Sequence, residues 1–151
     1  MLINYFLRNI WKLQIKMIST IIQFRVRYGE TDQMSFVYHG NYAQYFEMGR
    51  IEWLRSLDIS YKKMEESGIM LPVISLNINY IKSAKYDDLL TLKTTLKKIP
   101  SVKITFDYEI HNESNELLTT GNVTLAFMNA ETKKPTRAPE YFLKKLKETT
   151  I

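Results

Sequence analysis

Residues 25–59 read RVRYGETDQMSFVYHGNYAQYFEMGRIEWLRSLDI, and this stretch decides the fold. It enters as the end of a strand. Ile22, Phe24, Val26 and Tyr28 alternate with Gln23, Arg25 and Arg27, the period of a half-buried strand. GETDQMSFVYHG, residues 29–40, is polar and turn-like at first. Asn41 then has the character of an N-cap, with Gln44 at the reciprocal position of a capping box. A helix follows to about Leu57. Tyr42, Tyr45, Phe46, Gly49, Trp53 and Leu57 form one stripe at helical spacing, and Met48, Ile51 and Leu54 widen it. A helix apolar over so much of its circumference is expected to be deeply buried.

Downstream, SYKKMEES (60–67) reads as a short helix that ends at Gly68. Four alternating segments follow, centred on Ile74–Tyr80, Leu90–Leu96, Val102–Ile110 and Val123–Phe127. SAKYDD, KIPS, NESNE and NAETKKP read as the turns around them, and EYFLKKLKE as a short helix after Pro139. Short connections predict antiparallel pairing of consecutive strands. One-sided strands need a cover, and the helix at 41–57 is the element able to supply it. The expected fold is α+β, an antiparallel sheet wrapped around one long central helix.

Upstream, residues 1–16 carry Arg8, Lys12 and Lys16 and no acid. Arg8 and Lys12 interrupt the apolar run that a secretory signal would need, and no small-residue cleavage site follows. Leu2, Phe6, Ile10 and Leu13 would suit an amphipathic helix on a membrane surface. The regular pattern begins only after Met17, which favours residues 1–16 as an extension outside the core, or a mis-assigned start, and 17–151 as the domain.

The whole chain has 151 residues, one domain's worth. Of its net charge of +5, the first sixteen residues hold +3. The body is nearly balanced, which argues against a nucleic-acid partner despite the basic total. There is no cysteine, so disulfides, thiol nucleophiles and Cys-ligated zinc are excluded. Two histidines make a multi-His metal site unlikely by count, and no metal or cofactor is expected.

Tyr28, Asp32 and His39 lie four and seven residues apart, between a strand end and a helix start. A helix N-terminus offers unpaired N–H groups and a positive dipole end, which can hold an oxyanion. A carboxylate on the preceding loop can attack the same carbonyl, or activate water against it. Each residue also has a plainer role open to it. Asp32 could close an Asx turn, Tyr28 could be the last inward residue of its strand, and His39 could satisfy a local hydrogen bond. Glu47, in mid-helix, suits an ion pair with Arg50 at i+3 or a place near a subunit seam.

Tyr28, Thr31–Asp32, Val37–Tyr38–His39, Tyr42 and Phe46–Glu47–Met48–Gly49–Arg50 together resemble the signature of the 4-hydroxybenzoyl-CoA thioesterase-like family. They are most similar to its acyl-CoA thioesterase branch associated with the Tol–Pal system. The resemblance covers roughly residues 22–138. It implies the hotdog fold and hydrolysis of an acyl-CoA thioester, with Asp32 as base or nucleophile. It implies that backbone N–H groups of Tyr38, His39 and Gly40 polarise the carbonyl, with Tyr28 and His39 in support. It implies a cytoplasmic homodimer or homotetramer, and it points to Lys133, Lys134, Thr136 and Arg137 for CoA, with Lys82 and Lys85 as further cations. One position departs from the pattern. Ser35 stands where relatives carry glycine, so the loop at 34–36 is expected to be shaped differently. Competing readings are an acyl carrier protein thioesterase, a non-catalytic acyl-ligand-binding protein and a hotdog dehydratase.

Overall fold

The computed structural model describes residues 18–149. The proposed extension 1–16 and start at Met17 lie outside the described residues. Strand β1 (Ile18–Arg25) leads through a 3-10 turn at Tyr28–Glu30 to helix α1 (Asn41–Ser56) and helix α2 (Tyr61–Glu66). Then come β2 (Ile69–Met70), β3 (Val73–Tyr80), β4 (Leu89–Leu96), β5 (Lys103–His111), β6 (Leu117–Ala126), β7 (Met128–Asn129) and helix α3 (Glu140–Thr149). Five strands form one antiparallel sheet in the order β1-β4-β5-β6-β3, and β2 pairs with β7 beside it.

This order corrects one expectation. β3 and β4 are consecutive but not neighbours: β3 pairs with β6 at one edge, and β4 lies beside β1 near the other. The connection at 81–88 is no hairpin turn. It crosses the end of the sheet, with Ala84 fully buried and its carbonyl accepting the N–H of Val37 at 2.9 Å. β6 also runs further back than the apolar alternation implied. Its early inward positions are Thr119 and Gly121, both buried, so the pattern is interrupted in chemistry but not in geometry.

The inner face packs on α1. Phe46 stacks on Tyr108 with centroids 4.2 Å apart, and Trp53 meets Phe106 edge-on at 4.9 Å. Trp53 also donates from Nε1 to the Ile18 carbonyl at 3.0 Å, pinning the start of β1. Phe142 of α3 closes the far end of this core against Phe127. Two glycines permit the close approach. A Cβ at Gly49 would overlap Thr94 Oγ1 and the Leu92 side chain, and one at Gly121 would overlap the Phe46 ring and the Asn77 carbonyl.

The helix is less enclosed than its composition predicts. Gln44, Glu47 and Met48 are exposed, and Glu47 pairs with Arg50 at 3.7 Å. The reason is width. Five strands about 4.8 Å apart span roughly 20 Å, whereas one helix is about 10 Å across. α1 therefore lies over β1, β4 and β5 and leaves most of β3 uncovered, though Ile78 packs against the core and Tyr80 meets Tyr42 edge-on. The start of α1 differs as well. Gly40, not Asn41, is the capping residue, and no side chain caps it. Asn41 instead turns its Nδ2 back to the Glu30 carbonyl at 2.7 Å.

The outer face of the sheet carries a ladder of neutral side-chain hydrogen bonds. Ser19 meets Thr95, Gln23 meets Thr91, Asn77 meets Asn122, Asn79 meets Thr120, and Thr105 meets Thr124, each across neighbouring strands.

Candidate active site

The loop between β1 and α1 is built by local hydrogen bonding. β1 ends where Val26 exchanges backbone bonds with Asp88 and Asp87, each at 3.0 Å. An isolated bridge joins Thr31 and Val37 and closes a tight loop between them. Within it the Ser35 N–H donates to the Asp32 carbonyl at 3.0 Å, and the Asp32 N–H to the Phe36 carbonyl at 2.8 Å. This is a turn followed by a left-handed residue, a position that favours glycine. Ser35 occupies it with φ 66°. The ground for expecting a different loop shape does not hold: serine adopts the left-handed conformation, between the two flanking backbone bonds and the Thr31–Val37 bridge.

The Asx contact considered for Asp32 is present. Its Oδ1 accepts the Met34 N–H at 2.9 Å. That bond uses one carboxylate oxygen; among the described residues nothing donates to Oδ2. Asp32 is half-buried and lines a cavity of 210 Å³ with His39, Phe36, Tyr42, Tyr80 and Lys82. Tyr80 donates from its hydroxyl to the His39 carbonyl at 3.1 Å and so fixes the end of β3 against the start of α1. Burial raises the Tyr42 hydroxyl above the ordinary tyrosine range, so it is a neutral donor at physiological pH.

The start of α1 supplies the oxyanion candidates. Here the geometry removes one of them. The Tyr38 N–H already donates to the Glu30 carbonyl at 2.9 Å, so it is engaged. The N–H groups of His39 and Gly40 have no acceptor among the described residues. A Cβ at Gly40 would sit 2.7 Å from the exposed Tyr38 ring, which would have to turn aside.

Two other expectations are changed. Tyr28 is not in the cavity. β1 ends at Arg25 and the chain turns as a 3-10 helix, which leaves Tyr28 79 % exposed and edge-on to Tyr86. It is not the last inward residue of a strand, and it is not among the residues that line the cavity with Asp32. Lys133, Lys134, Thr136 and Arg137 lie at the opposite end of the sheet. Backbone bonds tie Lys133 and Lys134 to Asn129 and Thr136 to Phe127, beside the Val73 end of β3, whereas the cavity adjoins the Tyr80 end. Eight residues of strand separate them by roughly 26 Å. Lys82 does line the cavity, paired with Glu116 at 2.6 Å.

A carboxylate with a free oxygen thus shares one small cavity with an open helix N-terminus. Residues 34–119 match the family model described as the thioesterase superfamily. The chain belongs to the thioesterase superfamily. It is 34% identical to YneP of Bacillus subtilis over 75% of this chain and 82% of that protein. It is 32% identical to the acyl-CoA thioesterase YbgC of Haemophilus influenzae over 77% of this chain and 85% of that one. The structure of a DHNA-CoA thioesterase from Staphylococcus aureus superposes with a TM-score of 0.81 at 39% identity, covering 87% of this chain and 89% of that one. The fold is therefore the hotdog fold that the motif implied, and the chain is a thioester hydrolase. Among the described residues of this thioesterase, no helix is long and apolar enough to cross a membrane, and no three His, Asp or Glu side chains converge as a metal would require.

Sequence reasoning missed Glu30. It is 8 % exposed, in a segment read as a polar loop. Burial alone would push its carboxyl up. The Arg27 backbone N–H at 2.8 Å, the Arg27 guanidinium at 2.7 and 2.9 Å and the Tyr45 hydroxyl at 2.9 Å outweigh that and hold it below the ordinary glutamate range. The one available signal was Arg27 three residues before it. That spacing is informative on a helix but not in a loop.

Proposed function

We propose that this thioesterase hydrolyses acyl-CoA thioesters in the cavity between Asp32 and the start of α1. The carbonyl oxygen accepts hydrogen bonds from the N–H groups of His39 and Gly40, where the α1 dipole also favours negative charge. Asp32 Oδ2 takes a proton from water as the water oxygen bonds to the carbonyl carbon. The tetrahedral oxyanion then collapses, the C–S bond breaks, and the CoA thiolate leaves and recovers the proton. Direct attack by Asp32 through an acyl-enzyme is the alternative route on the same geometry. The observation that carries this reading is the shared cavity, lined by Asp32, whose Oδ2 is unengaged, and by His39 at the start of α1, whose N–H has no acceptor among the described residues. Phe36, Tyr42 and Tyr80 flank the cavity, and these rings suit a compact or aromatic acyl group over a long chain.

The working unit in this proposal is a homodimer. β3 is an exposed edge with Val73, Ile74 and Leu76 each more than 40 % exposed, which is an invitation to pairing. A second copy related by a two-fold axis would pair its β3 antiparallel to this one. That arrangement brings the second copy's Val73 end, and with it that copy's Lys133–Arg137 turn, towards this cavity. The basic turn could then meet the CoA phosphates although it is remote from Asp32 in its own protomer. Acyl-CoA as substrate also makes the cytoplasm the expected compartment.

The test is steady-state hydrolysis of acetyl-, benzoyl-, decanoyl- and palmitoyl-CoA, with the matching acyl carrier protein thioesters, followed by free-thiol detection. Faster turnover of benzoyl-CoA than of palmitoyl-CoA is the expected result. Thiol release confined to the carrier protein thioesters would assign the basic turn to an acidic carrier. No thiol release from any substrate beyond that of Asp32→Asn would overturn the proposal.

A further inference from the structure

We infer that Glu30 is a positioning residue that holds the oxyanion donors of α1 in register with Asp32; this rests on the thioesterase reading of the site. The backbone of Glu30 reaches both sides of the two open N–H groups. Its carbonyl accepts the Tyr38 N–H at 2.9 Å and Asn41 Nδ2 at 2.7 Å. His39 and Gly40 lie between those two anchor points. The side chain of Glu30 is held in turn by four hydrogen bonds. Arg27 gives its backbone N–H and two guanidinium N–H groups, and Tyr45 gives its hydroxyl from the second turn of α1. Glu30 also stands two residues before Asp32, with Thr31 between them bridged to Val37. One residue is therefore bonded to the base of the catalytic loop, to both flanks of the oxyanion donors and to the body of the helix.

The alternative is a merely structural carboxylate, one of many buried polar groups that satisfy a turn. Two features separate the readings. Glu30 is among the few charged or polar residues that are buried at all, and apart from Arg27 within its own turn its bonds run only to residues 38–45. Neither His39 nor Gly40 is tied down by a bond of its own N–H, so their aim depends on the Tyr80 hydroxyl that holds the His39 carbonyl and on what holds Tyr38 and Asn41 at either side. A displacement of about 1 Å in such a group can cost about 10²-fold in turnover.

The experiment compares wild type, Glu30→Ala, Glu30→Gln and Tyr45→Phe by two readouts. The first is amide hydrogen exchange without substrate. Glu30→Ala is expected to speed exchange at Tyr38 at least tenfold, while Phe106 and Tyr108 in β5 stay protected. The second is steady-state hydrolysis of benzoyl-CoA. The expected result is a fall in kcat of about 10²-fold with KM changed by less than about threefold. Glu30→Gln should recover at least tenfold of that loss, because an amide oxygen still accepts from Arg27 N and Tyr45 Oη. If Glu30→Ala does not fold, Tyr45→Phe carries the test, with faster Tyr38 exchange and a smaller fall in kcat. Unchanged exchange at Tyr38 would overturn the inference. So would faster exchange with kcat within twofold of wild type, or a rise in KM alone. A wild-type protein that hydrolyses none of the CoA thioesters would sink the activity reading instead, and the exchange at Tyr38 would still decide whether Glu30 is the clamp.

Discussion

β1 and β3 are the two edge strands of one sheet, each eight residues long and each alternating apolar with polar residues. They end in opposite states. On β1, Ile22 and Phe24 pack beneath α1, Phe24 against Tyr45 with centroids 4.6 Å apart. On β3, Ile74, Leu76 and Tyr80 face the same side of the sheet and remain largely exposed. Strand chemistry does not explain the contrast; the width of a single helix does. The covered side holds the protomer together. The open side carries the cavity and the edge that a second copy would complete. Substitutions on the two sides should therefore fail in different ways, as stability on one and as turnover or assembly on the other.

The largest expected effect is on the open side. Asp32→Asn should lower turnover by ~10²–10⁴-fold while the thermal midpoint stays near that of wild type. A folded Asp32→Asn protein within twofold of wild-type turnover would break the comparison at its centre. Next comes the edge itself. Leu76→Lys puts a charge on β3 and should leave protomer stability within about 1 kcal/mol, because the side chain is already exposed. Light scattering should nonetheless report a monomer, with turnover at least tenfold lower. A dimer that survives this change would place the subunit seam elsewhere.

On the covered side, Gly49→Ala pushes a methyl into Thr94 and Leu92. Overpacking of this kind costs about 1–3 kcal/mol, and denaturant unfolding should show it with little change in turnover at 25 °C. The smallest effect sharpens the contrast from the other direction. Ser35→Gly relieves a left-handed residue at φ 66° and should stabilise the protein by about 0.5–1 kcal/mol. Turnover should stay within about twofold, because the loop already has the shape that glycine favours.

The elements were legible because their periods are strong. The stripe from Tyr42 to Leu57 could only be a helix, and the motif from Asp32 to His39 singled out two residues that line one cavity. Partner choice was not legible. Nothing in SAKYDD distinguishes a hairpin turn from a crossing, since the same polar residues serve both. The burial of Ala84 shows which it is, and only the folded chain displays that. Within the site, the family resemblance implied Tyr38, His39 and Gly40 together as donors. Hydrogen-bond competition then separated them, because the Glu30 carbonyl takes the first. Tyr28 was misplaced for a related reason: an alternating pattern says nothing about where the backbone leaves the sheet, and here it leaves three residues earlier. Glu30 stayed hidden because a glutamate in a polar loop looks solvated until its four donors are seen around it.

The ladder of serine, threonine, asparagine and glutamine on the outer face bears on how the molecule meets its surroundings. Most hydroxyls and amides there are already spoken for by the neighbouring strand, and the pairs carry no charge. Added salt screens charges and has little to act on in these neutral pairs. The strand-to-strand stitching should thus be indifferent to ionic strength. Salt dependence on this face should come from the charges set among the pairs, such as Asp107 with Lys97 and Lys93 opposite Glu109, and from Lys82 with Glu116. A surface that satisfies itself has little left to offer a stranger, so the broad side of the sheet can remain in water without becoming adhesive.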